Sequence, residues 1–132
     1  MSMKVSPEAI LPSQNFLKPK TVAFIFDCLR DGNFDDLPPT PIVRKDNNGN
    51  LIAIDGHNLI AVKLYRDEDV EVHLATSSSD GLPSTSDANI QRNEDLYKKF
   101  DAAPQEYAKL QALGIYSFAD LIRNYSELFP AK

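Results

Sequence analysis

The residues best suited to chemistry are concentrated at Asp55-Gly56-His57-Asn58, which join two apolar segments without a spacer. The preceding segment, residues 51 to 54, has the composition of a strand, and residues 58 to 65 have the pattern of a helix. A helix that begins directly after a strand presents backbone N–H groups and the positive end of its dipole at one point. Phosphate groups bind at such points, so the sequence predicts an anion or phosphate site here.

Each residue of this junction has a predicted role at such a site. Gly56 allows a ligand to approach the backbone, and Asn58 and Leu59 contribute first-turn amides. His57 can donate a hydrogen bond or a proton, which makes it a candidate phosphate-binding and catalytic residue. Asp55 would repel phosphate unless Mg²⁺ intervenes or the carboxylate acts as a base, so it is a candidate metal ligand and catalytic residue. The alternative is structural, with Asp55 as a helix cap, Gly56 in a turn and His57 on the surface.

Composition and charge limit the class of protein. The 132 residues, 42% of them apolar, are predicted to form a single domain, residues 1 to 132. The net charge of −5 disfavours direct DNA binding, because phosphate contacts need clustered lysine and arginine. No apolar run approaches the ~20 residues of a membrane span, and the single cysteine, Cys28, cannot form an internal disulfide. These features predict a cytoplasmic protein that does not bind a membrane.

The first half of the chain is predicted to alternate helices and strands. "TVAFIFDCLRDG" has apolar residues at helical spacing and ends at a glycine, so it is predicted to be a helix. "TPIVRKDNNGNLIAI" is predicted to form two strands around Asn47-Asn48-Gly49, a sequence that favours a hairpin. "DVEVHLA", residues 69 to 75, alternates apolar and polar residues as a half-buried strand does.

The second half of the chain is predicted to be helical. "TSSSDGLPSTSD", residues 76 to 87, is the predicted break, and three helices are predicted between residues 88 and 129. The second of these is expected to start at Pro104, since proline is common in a first helical turn. The third is expected to run from a Ser117–Asp120 capping box to a stop at Pro130.

The order of these elements and two short motifs resemble the ParB/sulfiredoxin superfamily. The motifs are "ILPSQ", residues 10 to 14, matching I-x-P-x-Q, and "DGHNL", residues 55 to 59, matching D-G-H-H-R. The resemblance covers residues 8 to 76 and implies an α+β fold there, with a small mixed sheet and packed helices. The helical part at residues 88 to 129, predicted from its own residues, follows this core. In that superfamily the loop before the helix binds nucleotide phosphates, and members include chromosome-partition proteins, sulfiredoxins, small-molecule kinases and nuclease-like proteins.

The chain departs from the superfamily pattern at one important position. Leu59 stands where many members have arginine, and this removes a bidentate phosphate clamp. Arg44 or Lys45, on a neighbouring predicted strand, is the candidate replacement cation.

Two functions therefore stay open. One is a domain that binds a nucleotide or phosphorylated small molecule, with Mg²⁺ as the expected cofactor and phosphoryl transfer or phosphodiester hydrolysis as the expected reaction. The other is a catalytically inactive domain that binds a protein partner.

Overall fold

The computed structural model describes residues 2–76 and 90–130 and has the predicted mixed α+β composition. Strands and helices alternate up to residue 74, and the later described elements are helical. The elements in chain order are β1 (Ser2–Val5), a 3-10 turn (Pro7–Ala9), β2 (Ile10–Leu11), α1 (Pro19–Asp31), a 3-10 turn (Phe34–Asp36), β3 (Ile42–Lys45), β4 (Leu51–Asp55), α2 (His57–Tyr65), β5 (Val70–Leu74), α3 (Ile90–Ala112), α4 (Phe118–Asn124) and a 3-10 turn (Ser126–Leu128).

The strands of the described residues form a five-stranded mixed sheet with the order β1-β5-β3-β4-β2. β1 with β5 and β3 with β4 are antiparallel, whereas β2 with β4 and β3 with β5 are parallel. The β3–β4 pair is the predicted hairpin, and the Asp46 carboxylate accepts the Asn48 and Asn50 N–H groups at 2.8 and 2.9 Å across its turn. β4 lies between β3 and β2; its first two residues pair with β2, and Asp55 at its end pairs with Ile42 of β3.

Helices cover both faces of the sheet. On one face, α1, α2 and α4 bury a core that includes Val22, Ile60, Phe118 and Leu121. On the other, α3 packs on β4 through a second apolar cluster of described residues: Ile42, Ile52, Ile54, Ala75, Leu96, Phe100 and Ala103. Successive β4 side chains point to opposite faces, so Ala53 joins the first core while its neighbours join the second.

The prediction that a helix starts at Pro104 is wrong, because α3 continues through this proline from Ile90 to Ala112. Proline has no N–H, so the carbonyl of Phe100, four residues earlier, loses its usual helical donor. Arg44 on β3 replaces that donor: its Nη1 donates to the Phe100 carbonyl at 2.8 Å. The guanidinium also lies over the Phe100 ring, 4.3 Å from its centroid. A donor distant in sequence therefore satisfies the helix at its proline.

α4 has the predicted start but an earlier end. Ser117 and Asp120 form the predicted capping box, and the helix ends at Asn124, before a 3-10 turn. Along α4 and the turn after it, Phe118, Leu121 and Phe129 are buried, whereas Ile122 and Tyr125 are half-buried against the same core. The predicted break at residues 76 to 87 lies outside the described residues, apart from Thr76. Within the described ranges, no helix has the length and apolar character that crossing a bilayer requires.

Candidate functional site

The junction of β4 and α2 has the predicted geometry. β4 ends at Asp55, Gly56 is the N-cap with φ 87° and ψ 24°, and α2 begins at His57. This backbone conformation favours glycine, since it is left-handed. A Cβ atom at Gly56 would also lie 2.6 Å from Cβ and 2.7 Å from Cα of Pro41. Both the backbone and the neighbouring Pro41 therefore require glycine at position 56.

His57 is buried and connects α2 to the loop after β2. Its side chain is 2% exposed, and its ring lies 5.4 Å from that of Phe118. Nε2 accepts the Ser13 backbone N–H at 2.9 Å, while the Ser13 hydroxyl donates to the Ala53 carbonyl at 2.6 Å. The imidazole thus joins the loop to α4, and Ser13 joins the same loop to β4. The alternative prediction of a surface histidine is wrong.

The environment of His57 keeps its ring neutral. Burial lowers the pKa of His57 to about 3; the Asp55 charge opposes this shift, and the Lys99 charge adds to it. Nε2 accepts from a main-chain N–H, so the neutral ring carries its proton on Nδ1. If Nε2 carried the proton, its N–H would face the Ser13 N–H, and neither donor would have an acceptor. Proton transfer through Nε2 would therefore require the Ser13 hydrogen bond to break.

Asn58 and Leu59 have positions that the sequence did not reveal. The Asn58 side-chain oxygen accepts the backbone N–H of Lys18, the N-cap of α1, at 2.8 Å. Leu59 is 6% exposed and belongs to the core between α2 and its neighbours. It borders a cavity of about 380 Å³ that Lys63 also lines, one turn along the helix. Residues 55 to 58 lie together at the start of α2. The Leu59 side chain instead packs against the core on the side of this helix.

Arg44, the predicted replacement for the missing arginine, contacts α3. Its guanidinium donates to the Lys45 and Phe100 carbonyls and stacks on the Phe100 ring. These contacts fix α3 against the sheet. Lys45, the other candidate cation, is exposed at the end of β3.

A groove of about 360 Å³ opens beside the junction, between α3 and the loop after β2. Its lining residues are Ser13, Gln14, Phe16, Ile54, Lys98, Lys99, Ala102 and Glu106. The Ser13 N–H donates to His57 in the first turn of α2, and Ile54 directly precedes Asp55, so the groove adjoins the junction. The two lysines were missed because the sequence indicates only a solvated helix face. Their place beside residue 54 depends on how α3 packs across the sheet.

Among residues 2–76 and 90–130, no group of three or more histidine, cysteine, aspartate or glutamate side chains could hold a metal ion. Comparison of the chain with protein families, curated proteins and solved structures found no significant match. The assignment to the ParB/sulfiredoxin superfamily and the roles of residues 55 to 59 therefore stay predictions.

Proposed function

We propose that the protein is a ParB-like domain that binds a nucleotide or another phosphorylated small molecule at the start of α2. The observation that carries this proposal is the direct passage from β4 through Gly56 into α2, beside a groove flanked by Lys98 and Lys99. The glycine N-cap has no side chain that could accept from the first-turn amides. Phosphate oxygens are suitable acceptors at this position, and the helix dipole favours their charge.

Asp55 sets the metal requirement of the proposed site. It is half-buried at the strand end, and its carboxylate would repel a bare phosphate. Mg²⁺ is commonly held by one or two carboxylates together with the phosphates of the ligand. Asp55 fits this pattern as a single protein ligand for a Mg²⁺ ion that arrives with the nucleotide. Phosphoryl transfer or phosphodiester hydrolysis would then use Asp55 as metal ligand or base, with His57 holding the loop in place.

The second candidate is a catalytically inactive protein-interaction domain. The observation that favours it is the burial of Leu59, which makes the position of the usual arginine part of the core. Several large apolar side chains also face solvent: Phe16, Phe24, Phe34, Tyr97, Leu113 and Tyr116. Scattered residues of this kind are normal, so they support a partner surface only if they act together.

Calorimetric titration of the protein with ATP, CTP and inorganic phosphate, with and without Mg²⁺, tests the proposal. Asp55→Asn removes the negative charge, so phosphate should bind more tightly without Mg²⁺, and Mg²⁺ should no longer improve ATP binding. Asp69→Asn, which neutralises an exposed aspartate before β5, is the matched control. If none of the three compounds binds either protein at millimolar concentration, the phosphate site is absent and the protein-interaction function is the better conclusion.

Leu59→Arg is not a suitable test of this site. Many members of the superfamily have arginine at this position, but here the Leu59 side chain is buried on the flank of α2. A guanidinium there would be desolvated within the core and would destabilise the fold. Any loss of binding in that variant would report unfolding.

A further inference from the structure

The groove beside the junction has two chemically different sides. Lys98 and Lys99 project from α3 on one side, and Phe16 lies on the opposite loop, where its ring is 43% exposed. Glu106 is the acidic residue of the lining, and it forms an ion pair with Lys109 at 3.1 Å. The groove therefore favours a ligand that has an anionic part and an apolar, planar part.

Lys98 and Lys99 line the part of the groove that adjoins the end of β4. Lys99 and Ile54 line the same groove, and Ile54 is separated from the Gly56 N-cap by one residue. Since Leu59 is buried and Arg44 binds the Phe100 carbonyl, α3 is the element that brings cations to this groove.

The main chain of the loop that carries Phe16 is held by hydrogen bonds. The Gln14 side-chain amide donates to the Phe16 carbonyl at 3.0 Å, and the Ser13 N–H is bonded to His57. An exposed ring on such a loop offers a face on which a base can stack. A cavity volume of about 360 Å³ lies at the lower end of the range for small-ligand sites, which suits a single nucleotide.

We infer that Lys98 and Lys99 bind the phosphates of a nucleotide whose base stacks on Phe16, so that α3 supplies the cations that position 59 lacks. This inference rests on the proposed function and deepens it, because it names the ligand class and the residues that select it. A phosphate without a ring would use only the lysine side of the groove. A nucleoside without phosphate would use only the ring side.

Titration calorimetry at low ionic strength with ATP, tripolyphosphate and adenosine separates the two sides. Lys98→Gln/Lys99→Gln should weaken ATP and tripolyphosphate binding about tenfold or more, since each lysine contributes a charge-assisted hydrogen bond. Phe16→Leu should weaken ATP and adenosine binding about tenfold and leave tripolyphosphate unchanged. Arg30→Gln and Phe24→Leu, which change an exposed arginine and a 47% exposed ring on α1, are the matched controls.

The outcomes distinguish this inference from the proposed function. If wild type binds ATP and the double lysine variant binds it within twofold, the cationic role of α3 is refuted while the phosphate site at α2 stands. If Phe16→Leu binds ATP and adenosine as wild type does, the stacking role of Phe16 is refuted. If wild type binds neither ATP nor tripolyphosphate, both the inference and the proposed function are refuted. Thermal unfolding of each variant checks that the fold is intact.

Discussion

Mild acid should destabilise the protein through His57. The pKa of this histidine is lowered from 6.5 to about 3 by burial in the folded state, whereas the unfolded chain keeps the ordinary value. Below pH 6.5 the unfolded state therefore binds a proton that the folded state does not. Because the folded-state pKa is the lower one, the stabilisation is complete above pH 6.5 and is lost as the pH falls towards 3.

The size of the effect follows from the two pKa values. Each pH unit between them is worth about 1.4 kcal/mol, so acidification from pH 7 to pH 5 should reduce the free energy of unfolding by about 2 kcal/mol through His57 alone. Urea unfolding at pH 7, 6 and 5 measures this loss. His73, whose pKa burial also lowers, adds a contribution of the same sign.

His57→Gln isolates the contribution of the imidazole. Glutamine does not titrate, and its side-chain oxygen can accept the Ser13 N–H in place of Nε2. The variant should be less stable at pH 7 but should lose about 2 kcal/mol less than wild type between pH 7 and pH 5. His73→Gln is the control for the other histidine. Equal pH dependence in wild type and His57→Gln would show that the buried, neutral His57 is not the cause.

Three substitutions test the packing around the site by urea unfolding. Gly56→Ala should cost at least about 2 kcal/mol through strain and overlap, and a change below about 0.5 kcal/mol would contradict the strict need for glycine. Leu121→Ala should cost about 2–5 kcal/mol, against almost nothing for the exposed Leu113→Ala, and an equal loss in both would show that α4 is peripheral. Arg44→Ala should cost about 1–3 kcal/mol, because it leaves the Phe100 carbonyl without a donor. The cost should be clearly smaller in a Pro104→Ala background, where residue 104 regains an N–H that can donate to this carbonyl. If the losses from the two substitutions simply add, Arg44 does not replace the missing proline N–H.

The β4–α2 junction could be predicted from the sequence because its signals are local. A change from apolar alternation to helical spacing marks the boundary, and Gly56 stands at it. The same holds for the hairpin and α1, whose turn and end residues are neighbours in sequence. Residues 55 to 58 could therefore be placed together, although the sequence contained no sign that Ser13 would bind His57.

What could not be predicted depends on contacts distant in sequence. α3 was divided at Pro104 because the donor to the Phe100 carbonyl is Arg44, 56 residues away from Phe100. The same side chain is the predicted replacement cation, and its contacts with Phe100 could not be foreseen from the sequence. Lys98 and Lys99 indicate only a solvated helix until α3 is laid across β4. Local sequence patterns predict individual helices and strands, whereas the position of the two lysines at the groove depends on how α3 packs on β4.

The hydrogen bond between Lys18 and Asn58 has a consequence for how this chain can vary. The donor is a main-chain N–H, which every residue except proline possesses, whereas the acceptor is a particular side-chain oxygen. Position 18 can therefore accept almost any residue type, whereas position 58 needs a side chain of suitable length that carries an oxygen acceptor. A contact of this kind leaves no paired pattern of substitution between its two positions. Methods that find contacts from correlated changes would miss one of the bonds that fixes α1 against α2.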